Sequence, residues 1–274
     1  MTGNISIDTD KLAGLSAQER QFMSYFSANE TQTVTVEDIL SLQPGKRETA
    51  NQILRRLSKK GWLQRLKRGI YTLVPLSSSS STPVVENALL LAMDIFKPAF
   101  ISGWTAAEHW NLTEQIFNSI SVITTTPQRK TEQVLGNCKF RTRTIPKSLF
   151  FGAKTVWFGS KSVEIADPSR TLIDILDLPS FGGGARHTVD IFKQYWTSNF
   201  RNPELLLEYA TRYKKGTLFK RLGFLAEKFD VEVSQEWINT CEKNITKGVS
   251  ELDPGGSKEG EIVSKWNLRI NIPL

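Results

Sequence analysis

The run Ser77-Ser78-Ser79-Ser80-Ser81-Thr82-Pro83 has no apolar side chain to bury and closes on a proline. Such a composition reads as a flexible linker. It divides the chain into two folding problems, residues 1–76 and residues 84–274, with 77–83 between them. The 274 residues are 39% hydrophobic, which is enough for a packed core in each part. No stretch approaches the ~20 apolar residues that a membrane span needs. Met1 to Lys11 shows no basic start followed by an apolar run, so no signal peptide is expected. Cys138 and Cys241 form no CxxC pair. That spacing excludes a disulfide scaffold and a zinc finger, and it fits a reducing, cytoplasmic setting.

Charge is distributed unevenly. Residues 1–45 carry six acids against Lys11 and Arg20, whereas residues 46–68 carry nine bases against Glu48 alone. A short segment of net +8 inside a chain of net +7 is the electrostatic footprint of a phosphate-backbone binder.

The first part can be read element by element. Ser16 and Glu19 have the spacing of a capping box. The helix that follows puts Phe22, Met23 and Phe26 on one face. Thr35 can cap a second, short helix bearing Val36, Ile39, Leu40 and Leu42. After the break at Gln43-Pro44-Gly45, a third helix is predicted from about Lys46 to Lys60, with Ala50, Ile53, Leu54 and Leu57 on its apolar face and Gly61 as its stop. Trp62 to Leu66 and Ile70 to Val74 alternate as two strands around a Lys67-Arg68-Gly69 turn. Three helices followed by a hairpin is the order of a winged helix-turn-helix.

In that fold the third helix enters the major groove and the wing meets the backbone or the minor groove. Lys46, Arg47, Thr49, Asn51 and Gln52 open the helix, and arginine, asparagine and glutamine can make bidentate contacts to base edges. Arg55, Arg56 and Lys59, with Lys60, follow on the polar face and suit phosphates. Arg65, Lys67 and Arg68 would be the wing contacts.

Residues 84–274 predict a mixed α+β domain ending in a helical region. Helices are expected at Val84–Phe96, Thr105–Trp110 and Pro168–Leu178. Strands are expected at Phe100–Ser102, Ile120–Thr125, Lys139–Ile145, Val156–Phe158 and Val163–Ala166. Helical patterns then cover about 188–198, 203–213, 217–229 and 235–244. Strands before helices favour α+β over an alternating parallel fold.

Catalytic patterns are sparse. His109, beside Glu108 and Trp110, reads as packed on its short helix. Gly182-Gly183-Gly184 precedes a helix without the rest of a phosphate-loop signature and reads as an inter-helix loop. Gly159-Ser160 followed by Asp174 resembles the start of a nucleotidyltransferase signature. Its second acid, however, is Asp177, three residues on and on a helix, where strand alternation would be needed for two carboxylates to share Mg²⁺. No HExxH or GxSxG occurs. The chain is expected not to be an enzyme, and to need no metal and no cofactor.

The run from Ile53 to Leu73, ILRRLSKKGWLQRLKRGIYTL, resembles the winged-helix segment of AbiEi-type antitoxins. Ser102 to Trp110, Ala166 to Asp174, and Lys265 to Asn271 are similar to later stretches of that family. The resemblance implies an antitoxin of a type IV toxin–antitoxin, or abortive-infection, system that serves phage defence. Its winged helix would repress its own promoter at repeated operator sites on double-stranded DNA. Its C-terminal domain would counteract a cognate nucleotidyltransferase toxin without requiring a stable complex. Trp104, Trp110, Arg170 and Trp266 lie in the matching motifs and are expected to specify the fold. The alternative is a winged-helix regulator whose second domain senses a small ligand.

Overall fold

A computed structural model describes residues 14–29, 33–74 and 87–274. The predicted linker at 77–83 lies outside the described residues. The chain groups into two compact units, Met1–Ile95 with Glu132–Phe140, and Phe96–Thr131 with Arg141–Leu274.

The first unit contains α1 (Ala17–Ala28), α2 (Val36–Leu42), α3 (Arg47–Lys59), β1 (Leu63–Lys67) and β2 (Ile70–Leu73). The Ser16 N–H donates to Glu19 Oε2 at 2.8 Å, and the Glu19 N–H returns to Ser16 Oγ at 3.2 Å, closing the expected capping box. The Thr35 N–H and Oγ1 both donate to Asp38 at 2.7 Å and start α2. Gly61, at φ 83°, turns the chain out of α3 in a left-handed conformation that favours glycine. Phe22, Phe26, Val36, Ile39, Ile53, Leu54 and Leu57 form one buried cluster. Tyr71 adds to it and exchanges two backbone hydrogen bonds with Val34, at 2.7 and 3.0 Å. Further on come α4 (Ala88–Phe96), whose first turn is capped by Asn87 Oδ1, and, after elements of the other unit, β5 (Glu132–Leu135).

The second unit holds β3 (Ala99–Ile101), α5 (Gly103–His109), β4 (Ile120–Thr124), the end of β6 (Cys138–Thr144), β7 (Ala153–Phe158) and β8 (Lys161–Ala166). Its sheet runs β6-β4-β3-β8-β7. β3 pairs antiparallel with β4 and parallel with β8, and β7–β8 is the predicted hairpin. Then follow α6 (Pro168–Asp177), α7 (Ala185–Thr197), α8 (Pro203–Tyr213), α9 (Gly216–Lys228) and α10 (Gln235–Lys243). Leu172, Ile175, Phe192, Leu206, Phe219 and Leu222 bring these helices to one core.

The expected helical ending needs correction. After α10 the chain forms a small sheet of β9 (Ser250–Glu251), β10 (Glu261–Val263) and β11 (Leu268–Ile270), ordered β10-β11-β9. Strands of two or three residues are too short to show a period. Gly260 permits their close approach, because a Cβ there would lie 2.2 Å from the Ile270 carbonyl oxygen. His109 also differs from its reading. It is exposed at the end of α5, with its ring edge against Trp110.

The three tryptophans of the C-terminal motifs are built into this frame. Trp104 donates its indole N–H to the Ser119 carbonyl at 2.6 Å, and Trp110 donates to that of Ala166 at 2.7 Å. Trp266 is fully buried against Gly223 and donates to Glu227 Oε2 at 2.8 Å.

Candidate nucleic-acid interface

Helix α3 has two unlike sides. Ala50, Ile53, Leu54 and Leu57 are buried beneath it, so spacing alone fixes what faces outward. Thr49, Gln52, Arg55 and Lys59 are all exposed. Arg55 and Lys59 make no ion pair with any described residue, which leaves two cations one turn apart beside an amide that can read a base.

The remaining bases of the helix are engaged. Arg47 Nη1 lies 2.6 Å from Glu37 Oε1 of α2, with both side chains about two-thirds exposed at 66% and 63%. An exposed pair of this kind is worth about 0–1 kcal/mol, so Arg47 can exchange Glu37 for another anion at small cost. The same guanidinium holds the Glu37 carboxyl below its ordinary range. Asn51 is half-buried, and its amide donates to the Arg47 carbonyl at 3.0 Å. Lys46 is the exposed N-cap residue.

Arg56 and Lys60 turn toward α1. Arg56 Nε and Lys60 Nζ meet the two oxygens of Glu19 at 2.6 and 2.7 Å, and the Glu19 side chain is only 1% exposed. Burial pushes that carboxyl up. The hydrogen bonds from Lys60, the Ser16 backbone and Arg56 outweigh burial and hold it at about 2. Arg56 therefore has a structural partner at Nε, while its side chain remains half-exposed. The charge pattern could not separate Arg56 and Lys60 from Arg55 and Lys59. The partner was visible in the sequence as Glu19, an acid placed at the third position of α1.

The wing is tighter than predicted. Lys67 belongs to β1 and pairs with Ile70, so the turn is Arg68-Gly69 alone, with Gly69 at φ 80°. A bulge between Arg65 and Lys67 interrupts the register. It adds twist and re-aims the side chains that follow. Arg65 and Arg68 are exposed; Lys67 is half-buried, and burial draws its ammonium below the ordinary lysine value. Sequence reasoning did not find the Val34–Tyr71 bridge, which is a single residue pair and leaves no period.

Neither acid of the broken nucleotidyltransferase pattern is open to a metal ion. Asp174 is fully buried and accepts from Ser102 Oγ at 2.7 Å, Arg170 Nε at 3.0 Å and the Tyr213 hydroxyl. Arg170 also donates to the Leu149 and Phe151 carbonyls at 2.8 and 2.9 Å and lies 4.4 Å from the Phe151 ring centre. Asp177 binds Arg143 and Lys215. Burial raises its carboxyl, but these two cations hold it below the usual carboxylate range. His187 is buried and bonded to Thr113 Oγ1 and the Gly182 carbonyl. Among the described residues no group of three or more His, Cys, Asp or Glu could hold a metal.

Three helices, a two-stranded wing and a basic third helix define the winged helix-turn-helix class. Residues 21–74 match the family described as "Transcriptional regulator, AbiEi antitoxin". The run Ile53–Leu73 that carried the resemblance lies inside that match. No curated protein matches the chain. The chain also resembles the crystal structure of RV2827C protein from Mycobacterium tuberculosis, with a TM-score of 0.60 at 14% identity, over 93% of this chain and 92% of that one. At that identity the likeness is one of fold. No described helix is long and apolar enough to cross a membrane.

Proposed function

We propose that the chain is a sequence-specific DNA-binding repressor of its own promoter and the antitoxin of a type IV system. The observation that carries DNA binding is the exposed Gln52, Arg55 and Lys59 stripe on α3, beside the Arg65 and Arg68 wing. The N-terminal end of α3 enters the major groove, where Arg47 and Gln52 meet base edges. Arg55 and Lys59 take phosphates of the groove wall. The wing takes phosphates of the next turn, and bound protein excludes polymerase from the promoter.

The match over residues 21–74 supports the antitoxin and regulator reading. Residues 84–274 would counteract a nucleotidyltransferase toxin without requiring a stable complex, without catalysis and without a cofactor, in the cytoplasm. The test is fluorescence anisotropy with the gene's own upstream DNA and a shuffled duplex across a salt series. Tight, sequence-preferring binding with a steep salt slope is the expected result. Equal weak binding to both duplexes would leave the basic stripe as generic charge.

A further inference from the structure

The second unit contains an open cavity of about 550 Å³ between the end of β6 with the stretch that follows it and the end of α8. Four cations line it, Arg143, Arg212, Lys214 and Lys215, and no acid does. Asp177 lies behind them and binds Arg143 and Lys215, with Lys215 Nζ 2.8 and 3.0 Å from its two oxygens. One carboxylate thus orients two cations and leaves the group with a net charge of about +3. Arg212 and Lys214 have no ion pair among the described residues. Arg212 is instead held flat, its guanidinium carbon 3.4 Å from the Phe151 ring centre. Lys214 ends α8 in a left-handed conformation, φ 54°, that non-glycine residues seldom adopt. The Ile145 and Tyr213 side chains give the cavity a buried apolar floor, while Ser148 stands exposed among its lining residues.

A single carboxylate ligand would leave most of this charge uncompensated. A run of phosphates would not, since guanidinium groups bind phosphate oxygens in pairs and ammonium groups bind them as point charges. The volume is that of a small-molecule site and admits a nucleotide. We propose that this cavity binds a nucleoside polyphosphate, with the phosphates among Arg143, Arg212, Lys214 and Lys215 and the nucleoside over Ile145 and Tyr213. The site is independent of the DNA-binding reading, because every residue in it belongs to the second unit.

Isothermal titration calorimetry on the full chain with ATP, GTP and inorganic tripolyphosphate tests it. Arg212→Ala/Lys214→Ala removes two exposed cations and leaves the Asp177 pairs intact. Nucleotide binding at micromolar concentration, weakened at least tenfold in the double variant with an unchanged melting temperature, is the expected result. Absence of heat with all three polyphosphates overturns the proposal, as does equal affinity in the wild type and the variant. A lowered melting temperature with no polyphosphate binding would mean that the cations serve the carbonyl end of α8. Loss of duplex binding in the variant, again without polyphosphate binding, would reassign the patch to a DNA backbone. Either outcome overturns the small-ligand site and leaves the wing reading to its own test.

Discussion

Arg56 Nε sits 2.6 Å from Glu19 Oε1, so one acid of α1 holds the polar flank of the helix proposed to read DNA. Lys60 takes the other oxygen, and the Ser16 backbone adds a third hydrogen bond. Glu19 is the buried member, and its charge-assisted hydrogen bonds to two partly exposed cations are what a neutral side chain would lose. Glu19→Gln is expected to destabilise the first unit by about 1–3 kcal/mol, the range for lost hydrogen bonds to a charged group. Native-state hydrogen exchange of the α1 and α3 amides, which reports this unit alone, measures it.

The same contact has a pH signature. The Glu19 carboxyl is held at about 2 in the fold, below its ordinary value of 4.5. A depressed acid stabilises the folded state fully above its unfolded value, and that contribution disappears as pH falls through the folded value. Between pH 5 and pH 2 the wild type should lose stability faster than Glu19→Gln, so the two denaturation curves should converge. Curves that remain parallel would remove Glu19 from the acid response.

Arg47→Ala should weaken binding to the gene's own operator by about 1–3 kcal/mol and relax the base preference, as expected for loss of a bidentate base contact. Glu37→Ala should leave stability within about 0.5 kcal/mol, because the pair it breaks is exposed. Anisotropy with single-base operator variants separates the two substitutions. Unchanged affinity for Arg47→Ala would take it out of the readout.

The wing triple variant Arg65→Ala/Lys67→Ala/Arg68→Ala should lower affinity for operator and shuffled DNA alike. The slope of log K against log salt should fall by about 2 to 3, the release expected for three phosphate contacts. An unchanged slope would show that these cations stand off the duplex.

Asp174→Ala would strand the fully buried Arg170 guanidinium and the Tyr213 hydroxyl, and should cost about 3–5 kcal/mol in urea denaturation. Burial and the neighbouring Asp174 charge keep that tyrosine protonated far above its usual value. A catalytic carboxylate would give the opposite result, a stable protein with lost Mg²⁺-dependent nucleotide incorporation. Gly223→Ala probes the same core without charge. A Cβ there would meet the Trp266 ring at 2.1 Å, and overpacking of this kind should cost about 1–3 kcal/mol in the same assay.

The first unit was legible because its signals are local. A capping box spans four residues, and the Ala50, Ile53, Leu54 and Leu57 stripe repeats on one helix. Glycine at 61 and 69 marks two backbone reversals. The same local signals placed the β7–β8 hairpin and α6. What escaped was non-local or too short. The Val34–Tyr71 bridge is one residue pair, β5 is four residues, and the closing strands are two or three. The candidate site was legible as a charge run, but its internal division was not. Which bases point to Glu19 and which to solvent depends on the rotation of α3 against α1, and helix spacing alone does not set that rotation. The cavity beside α8 joins residues about seventy positions apart and has no linear signature at all.

The Val34–Tyr71 bridge bears on how the surface proposed to face DNA responds to change. Val34 immediately precedes the turn into α2, and Glu37 of α2 grips Arg47 at the start of α3. A continuous path of contacts thus runs from the wing strand, through the base of α2, to the start of α3. The wing and the helix tip behave as two prongs of one fork, whose spacing is set at its shank. Altering the shank would retune the interval between the proposed groove and backbone contacts without touching a residue proposed to meet DNA.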